Sequence, residues 1–100
     1  MDWVIRIRPL AFFDLEEGIR WYNYQKDGLG NLFLLEANAS ISKLKKNPYA
    51  FRIIFNPVRR VALKKFPYKI LYTIDNYEVI IIGIIHHKRS NRYLRRRYKK

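Results

Sequence analysis

Lys69-Ile70-Leu71-Tyr72-Thr73-Ile74-Asp75-Asn76-Tyr77-Glu78-Val79-Ile80-Ile81-Ile82-Gly83-Ile84-Ile85-His86 is the stretch on which the fold turns. Lys69 to Ile74 and Val79 to His86 are β-branched and aromatic runs parted by Asp75-Asn76, residue types that favour turns. A link this short leaves no room for a crossover, so the two strands pair antiparallel. Val79 to Ile85 is apolar on both alternations and reads as a central strand buried on both faces.

Moving towards the N-terminus, Arg60 to Phe66 and Phe51 to Phe55 are two more candidate strands, set off by Pro67 and Asn56-Pro57. Before Pro48 the period changes to that of helices. Phe33, Ala37, Ile41 and Leu44 mark one amphipathic stripe that closes at Asn47-Pro48, and Phe12, Leu15, Ile19 and Tyr22 mark another from Leu10 to about Gln25. Asp14, Glu16, Glu17 and Arg20 fall on the wet side of that first helix. Lys26-Asp27-Gly28-Leu29-Gly30 is too short to do more than fold the two helices into a hairpin. It is not a phosphate loop, since it follows no strand and lacks the lysine such loops carry. At the start, Trp3, Ile5 and Ile7 alternate with Val4, Arg6 and Arg8 as in a strand covered on one face, and Pro9 ends it. The expectation is one α+β domain over residues 1–100: an N-terminal strand and a helical hairpin packed on one face of an antiparallel three- to four-stranded sheet.

The net charge of +13 is distributed unevenly. Residues 1–50 carry seven Lys/Arg against six Asp/Glu, whereas residues 51–100 carry fourteen against two. The second half therefore sets up a field that concentrates anions, a property of proteins whose partner is nucleic acid, an anionic surface or an acidic protein. The tail from Lys88 to Lys100 has eight Lys/Arg and no acid. Tyr93, Leu94 and Tyr98 form a short apolar stripe in it, but like charges oppose an isolated helix, so the tail is expected to be partly ordered and to firm up on binding. The tail also has few large apolar residues to insert into a bilayer, which argues against a membrane role. With no cysteine there is no disulfide framework, thiolate metal site or Cys nucleophile. No apolar run approaches the roughly twenty residues of a membrane helix, and the first residues alternate where a signal peptide would be continuously apolar. A cytoplasmic protein is the expectation.

Several features in fixed order carry a resemblance: Ala11 with Asp14-Leu15, Trp21-Tyr22, Gly28-Leu29-Gly30 followed by Phe33, and Asn47-Pro48. They continue with Val58-Arg59-Arg60, Leu63-Lys64-Lys65-Phe66-Pro67-Tyr68-Lys69-Ile70-Leu71-Tyr72, and Ile85-His86-His87-Lys88-Arg89. Over essentially its whole length the chain resembles the RelE/ParE superfamily of bacterial toxins, the toxic halves of type II toxin-antitoxin operons. The resemblance implies growth inhibition, no cofactor or metal, and a small acidic antitoxin as partner, with a toxin-antitoxin hetero-oligomer in prospect. Many ParE-like members continue His-x-x-Arg with Pro and Trp, whereas Arg89 here is followed by Ser90-Asn91-Arg92-Tyr93-Leu94.

Three functions are open on these grounds. A ParE-like toxin binds a target such as DNA gyrase, with Arg59, Arg60, Lys88, Arg89, Arg92, Arg95 and Arg96 as the candidate nucleic-acid or target-binding residues. A RelE-like toxin cuts mRNA on the ribosome without metal, positioning the phosphate for attack by the RNA's own 2′-hydroxyl. In that case Lys64, Lys69 and Arg89 supply cations and Tyr93 or His87 stacks on a base or moves a proton. By the resemblance, Lys69 stands where RelE-like enzymes place a strand arginine, and a lysine cannot grip a phosphate as a bidentate fork. The third reading is a non-toxic nucleic-acid-binding domain. Against the catalytic roles, Lys64 and Lys69 also fit the wet side of their strands, and Tyr93 fits a packing role. His86 and His87 are adjacent in a strand, so they point to opposite faces and do not share a metal.

Overall fold

The computed structural model describes residues 2–99, and Lys100, the end of the basic tail, lies outside them. Strand β1 (Val4–Ile7) leads into helix α1 (Pro9–Gln25), which turns back as α2 (Leu29–Lys46). Pro9 suits the first turn of a helix, where its missing N–H would have no partner. The hairpin turn rests on Gly28, whose φ of 86° a side chain would resist. At Gly30 the helices touch so closely that a Cβ would strike the carbonyl of Ile19, while its N–H donates to Asn23 Oδ1 at 2.8 Å.

A single 3-10 turn (Pro48–Ala50) leads into β2 (Ile53–Phe55), β3 (Val58–Ala62), β4 (Tyr68–Asp75), β5 (Glu78–His86) and a third helix, α3 (Asn91–Lys99). They form one sheet of order β1-β5-β4-β3-β2. The expected three to four antiparallel strands are therefore five. The addition is β1, which pairs parallel with β5 from Val4 opposite Glu78 to Ile7 opposite Ile81. The chain between them, the helical hairpin with β2 to β4, is far longer than the connection a parallel pair requires, and a strand's own alternation carries no information about its partner. As expected, β5 is central. Its register with β4 slips between Leu71 opposite Gly83 and Tyr72 opposite Ile81, leaving Ile82 as an extra residue on β5.

Both faces of the sheet are covered. On one, Ile70, Tyr72, Val79, Ile81 and Ile84 pack against Ala11, Leu15, Phe33, Ala37 and Leu44 of the hairpin. The stripe that α1 buries is Ala11, Leu15 and Gly18 with Tyr22 half-buried, so Phe12, expected to face the core, is exposed. The chain leaves the ladder after Ala62, earlier than the expected end at Phe66, and drives Phe66 into an aromatic group. There its ring lies 4.8 Å from Tyr22 and 5.2 Å from Phe33, in edge-on contacts worth about 0.5–1.5 kcal/mol each beyond burial.

The opposite face holds a smaller core of Val58, Leu71, Ile82, Ile85 and Leu94. Leu94 belongs to α3 and is 0% exposed, so the basic tail, expected to be only partly ordered, is a helix from Asn91 to Lys99. Tertiary contact outweighs the charge repulsion that would melt this segment in isolation: Leu94 and Arg97 are buried, Tyr93 and Tyr98 are half-buried beside them, and Arg92, Arg95, Arg96 and Lys99 are exposed.

Candidate functional site

Two clefts collect the polar residues of the second half of the chain. The first is a basic cleft of about 380 Å³ lined by Arg52, Ile54, Arg60, Lys69, His87, Asn91 and Leu94. Each of these polar residues comes from a different place. Arg52 precedes β2, Arg60 is on β3, Lys69 is on β4, and His87 follows β5. Pairing aligns them, since the N–H of Arg60 donates to the Arg52 carbonyl at 3.1 Å and Lys69 lies opposite Ala62 and Ile85. The crowding has electrostatic consequences. Burial, then Arg60 and Arg52, lower the Lys69 pKa below its ordinary value, and burial, then Lys69, Arg60 and His86, do the same to His87.

The second cleft, about 360 Å³, opens between α1 and the end of β5. Phe13, Trp21, Tyr68 and Tyr93 give it aromatic walls, Asp14, Glu17 and Arg89 give it charges of both signs, and His86 lies among them. The Arg89 guanidinium lies 4.5 Å from the centre of the Tyr93 ring, a cation-π contact. His86 is half-buried with its ring 5.1 Å from Tyr68, and its Nδ1 accepts the N–H of Lys88 at 3.0 Å. Its neighbour His87 faces the basic cleft instead, as strand alternation requires.

The candidate catalytic residues are thus divided. Lys69 and His87 share the basic cleft, Arg89 and Tyr93 share the aromatic one, and Lys64 is exposed on the β3–β4 connection and lines neither. Of the candidate binding residues, Lys88, Arg92 and Arg96 are exposed, and Arg95 is exposed over the ring of Phe55 at 4.4 Å. Arg59 is tied down: it donates to the carbonyls of Phe51 at 2.7 Å and Tyr49 at 3.3 Å and stacks over Tyr49. Arg60 lines the basic cleft.

Three positions in or beside the clefts escape a reading of the sequence: Arg52, Asp14 and Arg97. Arg52 is isolated in the sequence and joins the cluster through the β2–β3 pairing alone. Asp14 has the spacing of a solvated helix residue. Arg97 lies three residues after Leu94, and that helical spacing is the one signal that it turns inward. Among the described residues no group of three or more His, Cys, Asp or Glu is placed to hold a metal ion, and no helix is long and apolar enough to cross a membrane.

A sequence model described as the ParE toxin of type II toxin-antitoxin system, parDE, matches residues 5–91, which takes in the sheet but for Val4 and the two clefts but for Leu94 and Tyr93 of α3. The chain belongs to the ParE toxin family. No curated protein matches it in sequence. Among solved structures, the chromosomal ParDE toxin-antitoxin system of P. aeruginosa is similar with a TM-score of 0.75 at 17% identity, over 84% of this chain and 95% of that one. The toxin-antitoxin complex RelBE2 of Mycobacterium tuberculosis gives 0.60 at 15% identity, over 86% and 99%. A mutant E. coli toxin RelE in the free state gives 0.58 at 12% identity, over 94% and 93%. At these identities the likeness extends to the fold. In this chain Tyr93 and Leu94 anchor the segment that follows Arg89.

Proposed function

We propose that this ParE-family protein inhibits growth by binding a macromolecular target of the DNA gyrase kind, without cutting RNA, and that an acidic antitoxin neutralises it. The observation that carries this reading is the division of Lys69 and His87 from Arg89 and Tyr93 between two clefts, with Lys64 in neither. In-line cleavage needs its cations and its proton-transfer groups around one phosphate. A binding surface has no such requirement, and the exposed cations of α3 offer one. The antitoxin has its own support: Leu10, Phe13, Trp21 and Tyr24 leave apolar surface exposed along α1, and Phe13 and Trp21 line the cleft that holds Arg89. An apolar and acidic segment that folds on binding suits that surface.

The reading is tested by inducing the protein in cells and adding it, purified, to DNA gyrase. Inhibited supercoiling, trapped gyrase-DNA complexes and filamentation are expected. Abrupt mRNA cleavage with gyrase left fully active would reject it.

One observation favours a second reading, the ribosome-dependent mRNA endonuclease. Arg52, Arg60 and Lys69 surround His87 with no carboxylate among the lining residues, and the lowered pKa of His87 leaves its imidazole neutral and able to accept a proton near pH 7. If that reading holds, Lys69→Ala with His87→Gln abolishes cleavage, whereas Arg89→Ala with Tyr93→Phe does not.

A further inference from the structure

The basic cleft is an expensive arrangement for a fold to keep unless something occupies it. Arg52, Arg60 and Lys69 converge with His87, and none of the lining residues is an acid. Elsewhere the protein pairs its cations where an acid is near, as Arg20 does with Glu17 at 2.8 Å and Arg97 with Asp14 at 2.6 Å. In the cleft the cations repel one another, and the pKa of Lys69 is lowered by burial and by both arginines.

We propose that this cleft is a binding site for a compact, multiply charged phosphate group, a terminal phosphate monoester or a pyrophosphate, with Arg52 and Arg60 as its principal ligands. Three features argue for that chemistry. Guanidinium groups match phosphate oxygens as bidentate forks, and two are brought together here, Arg60 on β3 and Arg52 just before β2, by the hydrogen bond from the Arg60 N–H to the Arg52 carbonyl. A terminal phosphate carries roughly −1.5 to −2 at neutral pH, which suits a cluster of three cations better than the single charge of a strand-internal diester does. The lining offers no Phe, Tyr or Trp, its apolar side chains are Ile54 and Leu94, and its one ring, His87, lies among the cations, so recognition rests chiefly on the phosphate. A cleft of about 380 Å³ is of the size that takes a nucleotide-scale ligand. The site does not depend on which cellular target the toxin binds, and its test is independent of toxicity.

Two sources can supply this group: a free polyphosphate such as a nucleoside triphosphate, or the phosphorylated end of a nucleic-acid strand. Pyrophosphate is titrated by calorimetry into the wild-type protein and into Arg52→Ala, Arg60→Ala, Arg52→Lys and Lys99→Ala. Each arginine-to-alanine change is expected to weaken binding by about tenfold or more, the value of one charge-assisted hydrogen-bonded contact. Arg52→Lys, which keeps the charge and loses the fork, falls in between. Lys99→Ala removes the same charge from the exposed face of α3 and leaves binding within about twofold. A melting temperature raised by pyrophosphate in the wild type and unmoved in Arg60→Ala confirms the site in folded protein. Anisotropy with matched 5′-phosphorylated and 5′-hydroxyl oligonucleotides then separates the sources. Preference for the phosphorylated strand points to a nucleic-acid end, and no preference alongside tight pyrophosphate binding points to a free polyphosphate. Equal weakening by all four substitutions, or no pyrophosphate binding by the wild type, overturns the proposal in favour of a diffuse basic field.

Discussion

The carboxylate of Asp14 on α1 and the guanidinium of Arg97 on α3, 83 residues apart in the chain, meet fork to fork at 2.6 and 3.2 Å. Both also serve the open edge of β5. Strand β1 makes its last contact through the N–H of Arg8 to the carbonyl of Ile81 at 3.0 Å. Beyond it, Arg97 donates to the carbonyl of Ile82 at 3.1 Å, and Asp14 accepts the N–H of Ile84 at 3.0 Å. The pair does for two residues what a neighbouring strand would have done, just where the extra residue Ile82 disturbs the register. Burial opposes the charge of Arg97, but its hydrogen bonds to Asp14 and to the Tyr93 hydroxyl outweigh that and raise its pKa.

Breaking this pair should cost far more than losing a surface ion pair. Arg97 is 8% exposed, so Arg97→Met leaves the Asp14 carboxylate without its partner and the Ile82 carbonyl without a donor, a loss of about 3–5 kcal/mol. Urea unfolding of Arg97→Met, Asp14→Asn and the double variant measures it. A coupling below about 0.5 kcal/mol would sink the idea that the two act as a unit.

Tyr72 predicts an alkaline weakness. Its hydroxyl donates to the Pro48 carbonyl at 2.5 Å, the side chain is fully buried, and burial pushes its pKa up to about 12 from 10.0. In the unfolded chain it ionises first, so the unfolded state binds fewer protons and stability falls as pH rises from about 10 to 12, by about 2–3 kcal/mol. Tyr72→Phe is expected to lose about 1 kcal/mol at pH 7 by orphaning the Pro48 carbonyl, and to flatten the alkaline limb. Denaturation midpoints at pH 8, 10 and 11 compare the two proteins; parallel curves would exclude Tyr72 as the source.

His87 predicts the sign of a titration. Burial and the neighbouring cations lower its folded pKa, so the folded state resists a proton that the unfolded chain accepts near pH 6.5. Its contribution to stability is present above that pH and is lost as pH falls through the lower folded value. NMR titration should place its midpoint below 6.5, and Lys69→Gln should move it upward. A midpoint unmoved by removal of the Lys69 charge would show that His87 is not under the cleft's field.

Arg89 and Arg92 test the exposed basic surface. Arg89→Glu with Arg92→Glu reverses charge beside the aromatic cleft and on the outer face of α3. Antitoxin association is expected to slow and to lose its dependence on salt, with affinity or toxicity reduced. Stopped-flow binding at two ionic strengths checks this, and unchanged rates together with full toxicity would make the charge incidental.

Much of the fold was legible because it is local. The periods of α1, α2, β4 and β5 lie within short windows, Gly28 and Asn47-Pro48 punctuate them, and the family motifs stretch over nearly the whole chain. The charge asymmetry was equally plain, since it needs only counting. Pairing and burial are non-local, and there the tertiary structure decided. It gave β1 its parallel partner, ordered α3 through Leu94, and turned Asp14 and Arg97 inward from surfaces that looked solvated. It also drew Arg52, Arg60, Lys69 and His87 together while sending Arg89 and Tyr93 elsewhere. The physical reason is that a residue's type and spacing fix which way it can point, whereas the elements packed around it fix what it meets there.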